Sequence, residues 1–235
     1  VHIRPSHGGD SSVARTVLIC AVARARDRLS VVDDQYFTDS SPARGDETHP
    51  LEVSARGFTL SMRVSSRVFS ASKLDTGTRQ LLEVAPDLPP RGALLDLGCG
   101  WGPLATVMSL EAPRCEVWAV DVNSRAVDLT ARNAAANGAS GVRALKASDA
   151  LAESVRSGTF FDVIWSNPPV RIGKEAMHEM LSQWLGRLSP EGVAYLVVQR
   201  HLGADSLIAW LNDQGLAARK YASKKGYRII EVRRR

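Results

Sequence analysis

Cysteine is scarce in this chain of 235 residues: Cys20, Cys99 and Cys115 are the whole set, and no two stand in C-x-x-C spacing. An odd, unpaired set excludes a disulfide scaffold and a thiolate metal site, and it fits a reducing cytoplasm. Long apolar runs are also missing, since none approaches the roughly 20 residues that cross a bilayer. The nearest thing to a secretory core is "TVLICAVA", Thr16 to Ala23. It is short, has charges on both sides, and nothing later in the chain suggests export. A cytoplasmic protein is expected. No internal repeat is visible.

What is present is enough for one sizeable core. Hydrophobic residues make up 44% of the chain, which suits a single domain with a small appendage. The formal charge of +5 is modest but unevenly placed. Arg4, Arg15, Arg24, Arg26 and Arg28 crowd the beginning against Asp10 and Asp27, and "KYASKKGYRIIEVRRR" closes the chain with Glu231 as its one acid. Basic ends suit a polyanion such as nucleic acid. A solvated face plus a disordered tail explains the same charges.

Residues 1–32 lack periodicity and are rich in Ser, Arg and Gly, so they read as a basic, disordered tail. In "HPLEVSARGFTLSMRVSS" apolar residues alternate on both sides of Ala55-Arg56-Gly57, which predicts a β-hairpin. Residues 33–78 are taken as this hairpin plus a segment that covers a ligand, with a short helix expected from Thr78 to Ala85. From Gly92 the pattern is strand and helix in alternation. "GALLDL", "CEVWAV", "VRALKA", "FDVIWS" and "VAYLVV" are continuously apolar strands rather than alternating ones. Both of their faces must be covered, as in a parallel α/β sheet. A turn is expected at Pro190-Glu191-Gly192. "LAARKYA" and "YRIIEVR", joined by Lys224-Lys225-Gly226, predict a closing antiparallel hairpin. Residues 79–235 form the main domain in this reading.

Between the first strand of the sheet and its helix lies "DLGCGWGP". Gly98, Gly100 and Gly102 permit a tight turn and close approach of a ligand, with helix N–H groups expected to point at it. The dinucleotide fingerprint needs a third glycine where Pro103 stands, and no Gly-Lys-Ser/Thr follows, so neither that fingerprint nor a P-loop is met. Asp96, directly before the glycines, would oppose a pyrophosphate but suits a cation such as the methionine ammonium of S-adenosylmethionine. Asp121 ends the second strand, where an acid can take both ribose hydroxyls, and Asp149 follows the third, within reach of an adenine amino group. Each of these two taken singly could be a helix N-cap. Three acids at the ends of three successive parallel strands point to one crevice.

"DLGCGWGP", "VDVN" and "SNPP", in this order and spacing, resemble the class I S-adenosylmethionine-dependent methyltransferases. The preceding "RVFSASKLDTGT" is similar to the segment ahead of the cofactor fold in the C-type small-subunit ribosomal RNA guanine-N2 methyltransferases, in a short, single-domain form. The resemblance covers roughly residues 35–235. It implies a Rossmann-like fold with a mostly parallel seven-stranded sheet ending in an antiparallel hairpin. It further implies S-adenosylmethionine as cofactor, no metal, and RNA as partner. Cofactor contacts are implied for Asp96, Gly98, Cys99, Gly100, Gly102, Asp121, Val122, Asp149, Ala150, Asn167 and Thr78. Lys73, Asp75 and Thr78 match the segment that closes over the cofactor, although a plain helix start explains Asp75 and Thr76 equally well.

The resemblance also answers why a buried strand should stop at Ser166-Asn167-Pro168-Pro169. An exocyclic base amine is a poor nucleophile because its lone pair is delocalised into the ring. The Asn167 side-chain oxygen and the Pro168 carbonyl can accept its two N–H groups and aim the lone pair at the methyl, while Pro168 and Pro169 hold the backbone still. Asn167, Pro168 and Pro169 are the expected catalytic group. A capping Asn before a proline turn is the plainer use of the same residues. Arg171 and Lys174 could meet RNA phosphates, Phe69 could stack on an extruded base, and Trp101 could touch the cofactor. Longer relatives tend to show Phe-His after Asn-Pro-Pro, where this chain has Val170-Arg171. Protein glutamine methyltransferases share the motif but place an aromatic after the second proline, so Val170 speaks against them. A small-molecule amine acceptor and a non-catalytic cofactor- or RNA-binding module are the remaining alternatives.

Overall fold

The computed structural model describes residues 48–66, 68, 70 and 72–235, with Arg171 described in its backbone alone. The expected tail at 1–32 and Phe69 lie outside the described residues.

The first elements form the anticipated hairpin, β1 (Thr48–Ala55) and β2 (Phe58–Ser65), paired antiparallel from Ala55↔Phe58 to Thr48↔Ser65. Arg56 and Gly57 make the turn with positive φ. Leu60, Met62 and Val64 alternate inward along β2 and join the core. Arg56 reaches from the turn to Glu111, bonding through Nη2 to Oε1 at 2.6 Å, and to the Ala85 carbonyl at 2.8 Å. Helix α1 (Thr76–Val84) follows, starting two residues earlier than expected because the Asp75 carboxylate caps it, accepting from the Thr78 N–H at 3.0 Å. The expected boundary at 78/79 therefore falls inside a helix.

The alternation then runs β3 (Gly92–Leu97), α2 (Pro103–Glu111), β4 (Cys115–Asp121), α3 (Ser124–Ala136), β5 (Val142–Lys146), α4 (Ala147–Ser157), β6 (Phe161–Ser166), α5 (Lys174–Leu185), β7 (Leu188–Gln199), α6 (Ala204–Asp213), β8 (Leu216–Lys224) and β9 (Tyr227–Arg234). These seven strands form one sheet in the order β5-β4-β3-β6-β7-β9-β8. The pairs among β5, β4, β3, β6 and β7 are parallel, and those of β9 with β7 and β8 are antiparallel. That is the expected architecture. Helix α4 lays Ala147, Ala150 and Leu151 against the sheet, a stripe at helical spacing. Pro190-Glu191-Gly192 is no separate turn but an irregularity inside β7, where the pairing with β6 jumps from Phe161↔Leu188 to Val163↔Val193. Gly192 permits it: a Cβ there would stand 2.6 Å from the Phe161 carbonyl oxygen.

Each sheet face carries its own core. Leu94, Val117, Trp165 and Val197 face α1, α2, α3 and the hairpin, while Leu95, Trp118, Ile164 and Leu196 face α4, α5 and α6. Burial on both faces is what the continuously apolar strands require. The hairpin is tied on by a side-chain ladder. Asn133 accepts from the Arg63 N–H at 2.8 Å and donates to its carbonyl at 2.9 Å; Asn137 makes the same pair of bonds with Ser61, both at 2.9 Å. Four residues along α3 rise about 6 Å and two along a strand rise about 6.6 Å, so the amides act as a further strand along β2.

Candidate active site

The chain order of the sheet reverses between β3 and β6: the strands after β3 run outward on one side, and those after β6 on the other. Ligands of open α/β sheets bind beyond the carboxyl ends of the strands at such a switch point. Leu97 and Ser166 are paired there, and the Ser166 hydroxyl donates to the Leu97 carbonyl at 2.7 Å. The glycine loop and Asn167 thus leave the sheet side by side.

The loop is held by strand β4 rather than by a ligand. Gly98 and Cys99 both donate to the Val120 carbonyl, at 2.8 and 3.0 Å, and Gly102 donates to Cys99 at 2.8 Å. Gly100 donates to the Asp121 carboxylate at 2.9 Å. The Ala105 N–H in the first turn of α2 is taken by Asp96 at 2.9 Å. The expectation of free N–H groups aimed at a ligand is corrected at these positions, because neighbouring acceptors already use them. A loop so occupied offers shape more than an anion site. Gly98 and Gly100, at φ +77° and +59°, would point an added Cβ into open space, whereas at Gly102 it would strike Thr130. The first two glycines leave room for a ligand; the third leaves room for α3.

Asp96 has no exposed surface, and its second oxygen has no hydrogen-bond partner. Burial pushes its pKa up to about 7, against the Ala105 N–H and with help from the charge of Asp121. A cation brought to that oxygen would supply what it lacks. Asp121 is half-buried. Burial raises its pKa while the N–H groups of Asn123, Gly100 and Val122 pull it down. It is no N-cap; that role belongs to Asn123, which accepts from Arg125 at 2.9 Å. A carboxylate has about four acceptor positions, so the bonds from Gly100 and Asn123 leave capacity for ribose hydroxyls. Val122 beside it is an exposed apolar side chain, suited to a flat ring. Asp149 lies exposed in the first turn of α4, bonded by the Ser148 hydroxyl at 3.2 Å, and is not the N-cap either.

Three residues expected at the cofactor turn their side chains inward. Ala150 is fully buried in the core on the α4 side, so its methyl serves packing. The Cys99 side chain is buried under Thr130, and burial pushes its thiol pKa well above the ordinary value, leaving it inert. Trp101 packs in the hairpin-side core. Its carbonyl accepts from Asn133 at 2.7 Å, so the residue that holds the hairpin also holds the loop.

On the other side of the switch point, Asn167 is half-buried. Its amide nitrogen donates to the Asp75 carboxylate at 2.8 Å and to the Thr78 hydroxyl at 3.0 Å. Thr78, expected at the cofactor, is thus a partner of Asn167, and Asp75 is the neighbour that sequence reading assigned no role beyond the covering segment. Pro168 is buried, Pro169 leads into a 3₁₀ turn over Val170–Ile172, and Gly173 at φ +94° opens α5. Lys174 is exposed at that helix start, and the side chain of Arg171 lies outside the described set. Tyr227 at the start of β9 closes this flank, its ring standing 3.0 Å from where a Cβ on Gly77 would lie.

The closing basic segment divides between two edges of the sheet. Gln199 pairs with Tyr227, so the Lys224-Lys225-Gly226 turn stands at the same edge as Asn167, and the Arg200 N–H donates to the Gly226 carbonyl at 2.8 Å. Arg233 and Arg234 pair with Val193 and Leu216 at the opposite edge. Among the described residues no group of His, Cys, Asp and Glu could hold a metal.

A glycine loop and an acid at the end of the next strand, at the switch point of this sheet, mark the class I S-adenosylmethionine-dependent methyltransferases. The methyltransferase small domain family matches residues 59–231, and the chain belongs to that family. It is 29% identical over 204 residues to the protein YbxB of Bacillus subtilis, covering 86% of this chain and 100% of YbxB. It is 38% identical over 169 residues to the ribosomal RNA small subunit methyltransferase C of Hahella chejuensis, covering 70% of this chain and 48% of that relative. The chain therefore spans about half the length of the methyltransferase C relatives it matches. In fold it is similar to the T. thermophilus 16S rRNA N2 G1207 methyltransferase solved with AdoMet and guanosine, at a TM-score of 0.66 and 24% identity, over 83% of this chain and 52% of that one.

Proposed function

We propose that this protein transfers a methyl group from S-adenosylmethionine to the exocyclic N2 amine of a guanine in small-subunit ribosomal RNA. The observation that carries the reading is Asn167: its N–H groups are taken by Asp75 and Thr78, which leaves its oxygen to accept. An acceptor beside a strand-end proline carbonyl suits an N–H₂ donor and nothing anionic. The names of the methyltransferase C relatives, and the guanosine in the T. thermophilus structure, point to the same class of acceptor.

S-adenosylmethionine supplies a methyl on a sulfonium, which leaves readily. Asp96 and the bare faces of Gly98 and Gly100 would hold its methionine part, Asp121 its ribose, and Val122 with Asp149 its adenine. Asn167 and the Pro168 carbonyl take the two N–H groups of the base, so that its nitrogen becomes pyramidal with the lone pair facing the methyl. In the transfer the N–C bond would form as the S–C bond broke, and the Asn167 oxygen would stabilise the positive charge left on nitrogen without acting as a base. The amine proton leaves to solvent afterwards. Exposed Lys73, Lys174, Arg200 and Lys225 border this edge, where phosphates would follow a presented base.

The test is mass mapping of modified guanosines in ribosomal RNA from cells lacking the gene. Loss of one N2-methylguanosine, restored by the wild-type gene and not by Asn167→Ala, is the expected result. An unchanged RNA profile would transfer the reading to a protein amide or a small-molecule amine.

A further inference from the structure

We infer that Asp75 and Thr78 are positioning residues that lock the Asn167 amide in one orientation and strengthen its oxygen as an acceptor. This rests on the reading that Asn167 holds the reacting amine.

A primary amide is nearly symmetric in shape, and a half-turn about its last torsion exchanges oxygen for nitrogen. For a site that must grip an N–H₂ group, the wrong orientation sets donors against donors. A carboxylate can only accept, so the group 2.8 Å from Asp75 must be the nitrogen of Asn167. The Thr78 hydroxyl could serve either way, and at 3.0 Å it takes the same nitrogen. Asp75 is itself fixed, because the carboxylate oxygen that receives Asn167 also receives the Thr78 N–H as the cap of α1. The start of α1 thus orients a residue 92 positions later in the chain.

The same contact has an electrostatic consequence. A hydrogen bond from an amide N–H to a carboxylate is charge-assisted, and it draws electron density toward the amide oxygen. That oxygen faces the nitrogen on which positive charge grows as the methyl transfers. Asp75 therefore favours the transition state over the ground state through Asn167, without touching the substrate. Tyr227, packed against Gly77, keeps this corner closed.

The deciding variant is Asp75→Ser in the full chain. Serine is a good N-cap, so α1 keeps its start, but one short hydroxyl cannot also serve Asn167. With S-adenosylmethionine and small-subunit RNA from cells lacking the gene, kcat should fall about 10- to 100-fold, the size of a misplaced reacting group. Cofactor Kd and KM should stay within about twofold. The Asp75→Ser change should cost nothing further when added to Asn167→Ala, as for residues acting through one another. Thr78→Val should show the same pattern more weakly, and it serves if the serine variant fails to fold. Retention of kcat by Asp75→Ser, with kcat lost in Asn167→Ala, would overturn the inference and leave the proposed function standing. Retention by Asn167→Ala would overturn the proposed function instead. The lock is then read from the side-chain amide resonances of Asn167: a shift on Asp75→Ser supports it, and unmoved resonances refute it.

Discussion

The two banks of the crevice are built differently. On the glycine-loop bank, Gly100 meets Asp121 only 21 positions away, and two glycines with positive φ shape the space. On the Asn167 bank, the decisive bonds join residues 92 and 89 positions apart and run entirely between side chains. The first is a local motif that folds with one strand-helix-strand unit. The second exists only once α1 has been laid across the sheet beside β6. On the proposed function, the contrast is a division of labour: the local bank would set the place for the cofactor, and the long-range bank the direction of the acceptor.

The sharpest way to break the comparison is Gly100→Val. A branched side chain at φ +59° is strained by about 1–2 kcal/mol, and it would occupy the open side of the loop. Cofactor binding by calorimetry should weaken at least about 100-fold, the equivalent of roughly 3 kcal/mol. Asn167→Ala on the opposite bank should leave that affinity within about twofold while turnover collapses. Equal effects of the two on binding would erase the distinction drawn here.

A smaller effect separates the banks by pH. Native Asp96 holds its proton up to about pH 7, whereas in the unfolded chain it releases it near pH 4. The native state thus binds the extra proton between these values, and the stability this contributes is present below about pH 4 and lost as pH rises through about 7. The melting temperature of the cofactor-free protein should fall over that window relative to Asp96→Asn. Cofactor affinity should move the other way, strengthening as the carboxylate ionises to meet a cation. An affinity that is flat in pH in the native protein would remove Asp96 from the cation's site.

The smallest expected effect lies behind the loop. Asn133→Ala removes bonds to both backbone groups of Arg63 and to the Trp101 carbonyl. One buried and two partly buried partners left unsatisfied make this cost about 2–3 kcal/mol. Thermal unfolding should shift down by about 4–12 °C for a domain of this size. Saturating cofactor should recover part of the shift, since the same amide supports the loop; no recovery would mean that the hairpin is fastened independently of the site.

Much of this was legible in the chain. Continuous apolar strands foretold a sheet covered on both faces, Lys224-Lys225-Gly226 foretold the closing hairpin, and "DLGCGWGP" located the loop. What was not legible shares one cause. Ala150, Cys99 and Trp101 stand within motifs that suggest a ligand, and their side chains turn inward; which way a side chain turns is set by what packs behind it. Asp75 read as a helix start, which it is; its second bond, to Asn167, has no trace at short range. The basic end read as one patch because charge along a sequence does not show that an antiparallel strand carries Lys225 and Arg233 to opposite edges.

The sequence by itself determined the elements, the order of their apolar faces and the position of the cofactor loop, because period, glycine and proline act within a few residues. The tertiary structure alone decided that strand order reverses between β3 and β6, that Asp75 and Thr78 bond to Asn167, and that Asn133 ties the hairpin to the loop. Those are contacts between parts of the chain brought together only when both sheet faces are buried, and no local preference encodes which distant side chain will stand opposite.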